Sequence, residues 1–319
     1  MTKIGVLTSG GDAPGMNAAI RAVVRTAIYN GYQVVGIRRG YAGLLGGEFI
    51  PLELGSVADI IHRGGTILRT ARSDEFRSPA GQARAQQNLG DAGITGLIVI
   101  GGDGSLQGAE ALWQRGVPTI VVPATIDNDM AGTELTIGFD TAVNTAVSAI
   151  DRIRDTATSH ERTYIIEVMG RLAGHIAAAA GLAAGAESIV VPEARVSNRE
   201  ICERLERGFR RGKRHSIIVV SEGAGSGYEI SEYIRACTGQ EPRVTVLGYI
   251  QRGGSPTAND RILASRMGYF AVELLRQSRG GLMVGIQKGK ILSLPMSEVA
   301  GRPHALEPDL LQLSQILSI

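Results

Sequence analysis

The sequence predicts an α/β fold in which helices cover both faces of a mostly parallel sheet. Short apolar runs alternate along the 319 residues with longer amphipathic stretches, which is the order expected of βαβ units. The apolar runs are nearly continuous, as in strands that are buried on both faces. Gly is abundant at 43 residues and aromatic residues are scarce at 4%, which favours tight turns and close approach of the backbone to ligands.

The individual elements follow from these two patterns. The apolar runs predict strands at 3–8, 33–38, 96–100, 118–122, 163–168, 188–191, 215–220 and 243–247. The amphipathic stretches predict helices that include 16–29, 104–115, 139–155, 173–183, 198–211 and 257–277. We find no clear sequence repeat or low-complexity linker, and the length suits one large or two modest α/β domains.

Composition and charge weigh against several classes of function. The formal net charge is +2, so general binding of nucleic acid is not indicated, and few aromatic residues are present to stack on single strands. The 33 basic residues comprise four Lys and 29 Arg. Arg binds phosphate in a planar, bidentate manner that Lys cannot copy.

The cysteines and the N-terminal segment indicate the cellular compartment in which the protein is expected. Cys202 and Cys237 stand in unrelated contexts, without a CxxC or Cys/His cluster, so neither a zinc site nor a disulfide is expected. The chain opens directly into the strand at 3–8 without a recognisable signal peptide, and no apolar run approaches ~18 residues. We therefore expect a cytoplasmic protein with no membrane partner.

Polar segments rich in Gly and Asp follow five of the predicted strands, and in parallel sheets ligands bind beyond the carboxyl ends of the strands. These segments are 8–17, 101–105, 123–129, 169–174 and 221–227. Glycine alone is common in α/β loops, but the acidic residues and Arg that accompany it here indicate a shared ligand cleft.

The first of these loops reads TSGGDAPGMN at 8–17. Its glycines let backbone N–H groups approach a phosphate, and the N-terminus of the helix that follows favours an anion. The segment is not GxGxxG, and the chain contains no GxxxxGK[ST], so the P-loop class is excluded.

The second loop reads GGDGS at 101–105. Asp103 among glycines at a strand end can hold Mg²⁺, which prefers oxygen ligands, while the adjacent amides can cradle nucleotide phosphates. The alternative is that Asp103 only caps the following helix.

The third loop reads PATIDND at 123–129. Asp127 and Asp129 lie two residues apart, an arrangement that is costly without a counter-charge. In phosphoryl transfer, one such carboxylate can accept the proton of an attacking hydroxyl. The alternative is an Asx-rich turn.

These three motifs, with MGRLAG at 169–174 and GYIQRGGSPTAND at 248–260, occur in the order and spacing of bacterial ATP-dependent 6-phosphofructokinases, which the sequence resembles. The resemblance covers essentially the whole chain, including HRGGTIL at 62–68 and DTATSHERTYIIEVMGR at 155–171. It implies transfer of the γ-phosphate of ATP to the 1-hydroxyl of fructose 6-phosphate, with Mg²⁺, in a homotetramer.

The resemblance also implies roles for single residues. Asp127 matches the base that deprotonates the sugar hydroxyl, and Asp103 matches the Mg²⁺ ligand. Arg72 and Arg171 match a nucleotide and a sugar position and can stabilise charge on the transferring phosphoryl group. The other nucleotide positions are Gly11, Ser73, Gly102, Gly104 and Ser105. The other catalytic and sugar positions are Thr125, Ile126, Asp129, Met169, Gly170, Glu222, Tyr249, Ile250, Gln251 and Arg252, with Arg162 and Arg243 reaching the sugar phosphate from a neighbouring subunit.

Three positions depart from the family pattern. Tyr249 stands where His is usual, and a neutral phenol offers a hydrogen bond but no positive charge. Ala124 replaces Gly, and Leu172 follows Arg171 where His is common. Pyrophosphate-dependent relatives typically carry Asp at the position of Gly104 and Lys at that of Ala124, so the resemblance favours ATP as the donor.

A second phosphate site is implied in the same way. Its positions are Arg21, Arg25, Arg154, Gly185, Glu187, Arg211, Lys213, Arg214 and His215, which match an allosteric site shared between subunits and occupied by ADP or phosphoenolpyruvate. Without the resemblance, Arg21 and Arg25 form a solvated helix face, and the basic cluster at 211–215 complements a helix C-terminus.

The resemblance implies two doubly wound lobes with the active site in the cleft between them. The larger, ATP-binding lobe takes 1–138 and 251–301, and the smaller, sugar-phosphate-binding lobe takes 139–250 and 302–319. The rival interpretations are a pyrophosphate-dependent phosphofructokinase, another GGDG-type kinase such as an NAD or diacylglycerol kinase, a dinucleotide-binding dehydrogenase or sensor, and an inactive regulatory subunit. The pairing of PATIDND with MGRLAG weighs against another GGDG-type kinase, and the lack of GxGxxG weighs against a dehydrogenase. Gly104 and Ala124 weigh against a pyrophosphate-dependent enzyme. The retained Asp103, Asp127, Arg72 and Arg171 weigh against an inactive subunit.

Overall fold

Two sheets organise the chain in the computed structural model, which describes residues 2–194 and 196–318. In chain order the strands are β1 Lys3–Ser9, β2 Gln33–Ile37, β3 Phe49–Leu52, β4 Gly96–Gly101, β5 Thr119–Pro123, β6 Thr163–Val168, β7 Ser188–Val190, β8 Ser216–Ser221, β9 Arg243–Val246, β10 Leu282–Gln287 and β11 Lys290–Pro295. The helices are α1 Met16–Tyr29, α2 Gly40–Gly46, α3 Pro79–Asp91, α4 Asp103–Gln114, α5 Phe139–His160, α6 His175–Ala183, α7 Asn198–Arg210, α8 Gly227–Thr238, α9 Ala258–Arg276, α10 Met296–Val299 and α11 Pro308–Leu317.

The chain divides into two compact units, each built around one sheet. Unit 1 holds the residues up to Ile126, Met130–Thr141 and Arg252–His304. Unit 2 holds Asp127–Asp129, Ala142–Gln251 and the residues from Ala305 onward. The assignment of ATP to one lobe and of the sugar phosphate to the other stays a prediction.

The sheet of unit 1 has seven strands in the order β11-β10-β5-β4-β1-β2-β3. Its five inner strands are parallel, and β3 and β11 are antiparallel at the two edges. Every residue of β4 and β5 is buried, as expected of strands that are covered on both faces. The predicted α/β class with mostly parallel sheets is confirmed.

The sheet of unit 2 has four parallel strands in the order β7-β8-β6-β9. Its core includes Ile165, Ile218 and Val220 from the strands and Ile201 and Ile234 from α7 and α8. A capping box in which Ser197 and Glu200 bond each other's backbone N–H groups fixes the start of α7.

All the predicted strands and helices are found, but α5 runs five residues beyond its predicted end at 155, and several elements were missed. The β10–β11 hairpin turns at Lys288 and Gly289, which both have positive φ, at 49° and 73°. A two-residue turn of this kind matches the right-handed twist of the strands. Lys at the first turn position is outside the usual Asn-Gly and Asp-Gly pairs, so the sequence signal was weak.

The two cysteines correct one expectation, because Cys202 and Cys237 form a disulfide. They are 35 residues apart in sequence, and no local spacing relates them. Packing of α7 against α8 brings them together. A CxxC or Cys/His motif relates cysteines that are close in sequence, so its absence does not exclude a disulfide between two packed helices.

Among the described residues, no helix combines the length and apolar character that crossing a membrane requires.

Candidate active site

The loops that follow β1, β4 and β5 share one edge of the unit 1 sheet. Ser9 pairs with Gly101, and Gly101 pairs with Pro123, so the carboxyl ends of the three strands are level. A Cβ added at Gly102 would lie 3.5 Å from Cβ of Thr125, which places the second loop against the third. Three of the five loops that the sequence singled out therefore share one edge of this sheet, as predicted from the parallel order.

Arg252 lies against the first loop. Its guanidinium is so close that a Cβ added at Gly11 would come within 2.1 Å of Nη1, and Nη1 donates to the carbonyl oxygen of Asp12 at 3.4 Å. A side chain at position 11 would have to displace the neighbouring guanidinium. Arg252 was predicted as a sugar-phosphate ligand, and the structure adds a contact with a predicted nucleotide position.

The segment that carries Arg72 and Ser73 is tied to the first loop. The hydroxyl of Thr70 donates to the carbonyl oxygen of Gly10 at 2.6 Å. Arg72 is exposed, and Oγ of Ser73 accepts the N–H of Phe76 at 3.3 Å. The geometry leaves the Arg72 guanidinium available to an anionic ligand at this edge.

Asp103 begins α4, and Gly102 rather than Asp103 occupies the N-cap. Oδ1 of Asp103 accepts the N–H of Gly301 at 2.9 Å, and Oδ2 accepts Nε2 of Gln107 at 2.7 Å. Within residues 2–194 and 196–318, no group of three or more His, Cys, Asp or Glu could form a metal site made of protein alone. A single, partly exposed carboxylate fits Mg²⁺ that is bound mainly by substrate phosphates and water.

The two residues after Asp103 differ in accessibility. Gly104 is exposed, and a Cβ added there would meet nothing within 4 Å. Ser105 is 2% exposed, and its buried Oγ makes no hydrogen bond in the part of the chain described. The backbone at Gly104 is therefore open to a ligand, whereas the Ser105 side chain faces the protein.

In unit 2, Arg171 and Asp129 form an ion pair, with Nη1 of Arg171 3.4 Å from Oδ2 of Asp129. Arg171 follows β6 and has a left-handed backbone with φ of 54°. Glu222, which follows β8, fixes this turn because its Oε1 accepts the N–H groups of Gly170 at 3.1 Å and Arg171 at 2.7 Å. The structure thus brings together three predicted site residues, Asp129, Arg171 and Glu222, that lie in three different loops.

Other predicted residues of this group are largely enclosed. Asp127 is 2% exposed. Ile126 is fully buried, so its side chain is not open to a ligand and only its backbone can contact one. Gln251 is also fully buried, and its Oε1 accepts the N–H of Met169 at 3.4 Å. Gln251 therefore stabilises the start of the loop at 169–171 through this hydrogen bond.

Arg162 and Arg243 are exposed and lie at the opposite end of the unit 2 sheet. Arg162 directly precedes β6, and Arg243 begins β9 and pairs with Tyr164. Strands rise by about 3.3 Å per residue, so the length of β6 separates them from Arg171 by roughly 20 Å. The described chain does not bring these two arginines to the Arg171 group. Tyr249 and Ile250 are exposed in a 3₁₀ turn, Gly248–Gln251.

Part of the predicted effector group also gathers in unit 2. Oε1 of Glu187 lies 2.6 Å from Nζ of Lys213 and 4.0 Å from Nη1 of Arg154, and Arg154 donates to the carbonyl oxygen of Gly185 at 3.1 Å. Nε2 of His215 lies 3.5 Å from the hydroxyl of Thr158. The remaining predicted positions in this unit, Arg211 and Arg214, are exposed, as is Arg25 on α1 of unit 1, whereas Arg21 is half-buried.

A cavity of about 780 Å³ adjoins this group. Lys213 and Arg211 line it, together with Arg204 and Arg207 of α7, which the sequence analysis missed. Arg204, Arg207 and Arg211 are three and four residues apart and therefore share a helix face. That spacing was the signal that could have revealed them.

Comparison with known proteins places the chain in a family. The sequence model of the family described as Phosphofructokinase matches residues 3–275. Over all 319 residues, and over the full length of each relative, the chain is 60% identical to proteins named ATP-dependent 6-phosphofructokinase from Bacillus velezensis and Bacillus subtilis.

Solved structures with a similar fold are also phosphofructokinases. A phosphofructokinase from Saccharomyces cerevisiae superimposes with a TM-score of 0.87 at 37% identity, over 93% of this chain and 45% of that one. A pyrophosphate-dependent phosphofructokinase from Marinobacter aquaeolei gives a TM-score of 0.87 at 25% identity, over 99% of this chain and 91% of that one. The chain therefore belongs to the phosphofructokinase family.

Proposed function

We propose that this protein transfers the γ-phosphate of ATP to the 1-hydroxyl of D-fructose 6-phosphate, giving fructose 1,6-bisphosphate and ADP in glycolysis. The observation that carries the proposal is the grouping of Arg171, Asp129 and Glu222 beside the loop of Asp127. The proposal agrees with the names of relatives that are 60% identical over their full length. We further propose a cytoplasmic location, as expected of a glycolytic enzyme.

The chemistry needs positioning and charge neutralisation more than covalent participation by the protein. Asp127 accepts the proton of the sugar 1-hydroxyl as its oxygen attacks phosphorus. Arg171 and Arg72 stabilise the negative charge on the transferring phosphoryl group. Asp103 would hold Mg²⁺, which neutralises charge on the nucleotide phosphates when it is bound.

The sugar phosphate is held by arginines of two subunits in this proposal. Arg162 and Arg243 lie roughly 20 Å from Arg171 at the far end of the sheet, so they serve a site other than the one to which Arg171 belongs. That placement supports an oligomer in which each active site borrows these two residues from a neighbour, and the oligomer that we propose is a homotetramer.

The donor is ATP rather than pyrophosphate. Gly104 is exposed and has open space beside it, which leaves room for the rest of a nucleotide. A coupled assay with purified protein, fructose 6-phosphate and Mg²⁺ tests this, run in parallel with ATP and with pyrophosphate. Turnover with ATP alone supports the whole proposal. Faster turnover with pyrophosphate overturns the donor, and no turnover with either overturns the reaction.

Tyr249→His is expected to strengthen binding of fructose 6-phosphate at low pH. Tyr249 is 82% exposed, so the substitution causes little change in packing. A histidine with an ordinary pKa near 6.5 carries a positive charge below that value, and this charge attracts the sugar phosphate. The KM for fructose 6-phosphate should fall severalfold at pH 6 and stay unchanged at pH 8. A KM that matches wild type at both pH values contradicts a phosphate contact at this position.

We also propose that the basic group around Glu187 binds ADP or phosphoenolpyruvate and alters the saturation curve for the sugar phosphate. Lys213→Ala removes the cation nearest to Glu187. It should abolish the shift that either effector causes while leaving basal kcat within about twofold, since coupling is separable from turnover. Lys288→Ala, at an exposed hairpin turn, is the matched control. The regulatory proposal fails if neither effector shifts the wild-type curve.

A further inference from the structure

Asp260 is a buried carboxylate for which the proposed mechanism has no use. It lies in the first turn of α9 and is 1% exposed. Its Oδ1 accepts the N–H of Gly138 at 2.8 Å, and its Oδ2 accepts the N–H of Thr141 at 2.8 Å and the Thr141 hydroxyl. Burial raises the pKa of this carboxyl, and the three hydrogen bonds oppose that rise.

These bonds cap α5 from outside its own sequence. The N–H groups of Gly138 and Thr141 stand at the start of α5, where donors lack partners within the helix and a negative charge is favoured by the helix dipole. In a second set of bonds, the residue that caps α9 donates to side chains in the first turn of α5. The hydroxyl of Thr257 donates to Asp140, and the N–H of Thr257 donates to the Thr141 hydroxyl at 3.0 Å. The starts of α5 and α9 are therefore tied together reciprocally.

The capped end of α5 packs against the first loop of the candidate active site. Gly138 has φ of 104°, and a Cβ added there would be 2.7 Å from Cβ of Ala13. A Cβ added at Gly15 would be 2.6 Å from Cγ2 of Ile137. The backbone at 137–138 thus forms the surface against which the loop at 13–15 is packed.

The same segment is bonded to the loop that leads into Asp127. The hydroxyl of Thr136 donates to the carbonyl oxygen of Thr125 at 2.6 Å, and the N–H of Ile137 donates to the carbonyl oxygen of Pro123 at 3.1 Å. A Cβ added at Gly138 would lie 3.4 Å from Cγ2 of Ile126. Residues 136–138 are therefore fixed on one side by Asp260 and fix residues 123–126 on the other.

We propose that Asp260 is a positioning residue for phosphoryl transfer, which holds Gly138 and Thr141 and, through residues 136–138, the loop that carries the base Asp127. The expected loss of kcat rests on the proposed function. The expected loosening of the loop at 124–128 does not. A displacement of about 1 Å at reacting groups can cost ~10²-fold in rate, so a buried group that never touches substrate can control kcat.

Asp260→Asn tests the proposal in the full-length protein. The amide oxygen can still accept the N–H of Gly138, but the amide nitrogen then faces the N–H of Thr141 and cannot accept it. We expect kcat to fall by ~10²-fold, with the KM for ATP and for fructose 6-phosphate within about threefold of wild type. Amide hydrogen exchange at 124–128 should accelerate. Thr141→Val removes the hydroxyl that donates to Asp260 and accepts the N–H of Thr257 but keeps the N–H of Thr141. It should show the same two changes to a smaller degree and serves if Asp260→Asn does not fold.

Thr257→Ala is the matched control, because it removes the cap of α9 and the bond to Asp140 while leaving all three donors to Asp260 in place. It should destabilise the same contact between helices but keep kcat and the exchange at 124–128 near wild type. Equal losses of kcat in Thr257→Ala and Asp260→Asn overturn the proposal, because they indicate a merely structural role. If wild type has no activity, the exchange measurement still decides: unchanged exchange at 124–128 in Asp260→Asn overturns the inference, and selective acceleration supports it.

Discussion

Asp127→Asn is expected to lower kcat by at least ~100-fold, the low end for loss of a general base. Asn has the size of Asp but cannot take a proton from the 1-hydroxyl of the sugar, so the attacking oxygen must lose its proton to water. Asp127 is 2% exposed, and this enclosure limits the access of water that could replace it. Steady-state kinetics with fructose 6-phosphate and ATP measure the effect.

The control for this variant is Asp91→Asn, at an exposed carboxylate at the end of α3, which should leave kcat unchanged. Asp127→Ser, which is smaller, should resemble Asp127→Asn if the lost proton acceptor is the cause. A kcat near wild type in either Asp127 variant removes Asp127 from the role of base. A loss confined to KM instead assigns it to sugar binding.

The fold and the loops of the site were predictable because each depends on local sequence. Apolar runs of strand length, followed by Gly with Asp, determine both the parallel sheet and the edge at which ligands bind. The contact of Gly102 with Thr125 follows from that topology alone.

Partners that are distant in sequence were not predictable in the same way. Glu222 was expected at the sugar, yet its Oε1 accepts two backbone N–H groups of the turn at 170–171. No spacing indicates this, because the left-handed backbone of Arg171 and the position of β8 beside β6 are both properties of the folded chain. The same holds for the disulfide between α7 and α8, and for the cap that Asp260 supplies to α5.

The second large effect is expected for Arg171→Ala, which should lower kcat by roughly 10²–10³-fold, the cost of removing one donor to developing charge. It should also raise the KM for substrates, because the Arg171 cation no longer offsets the charge of Asp129, which then repels anionic phosphates more strongly. Arg171→Lys should fall between the two, since Lys keeps the charge but not the planar pair of donors. Arg199→Ala, which breaks an exposed ion pair with Glu203 on α7, is the control and should change neither parameter.

The double variant Arg171→Ala with Asp129→Asn separates the two contributions of Arg171. If repulsion by Asp129 causes the rise in KM, neutralising Asp129 should restore much of the KM while kcat stays low, because no cation remains to stabilise the transferring phosphoryl group. Equal recovery of KM and kcat would show that Arg171 acts mainly by neutralising Asp129. A double variant no better than Arg171→Ala in KM would show that Asp129 does not face the phosphates, and the loss would then belong to direct contacts of the guanidinium with substrate.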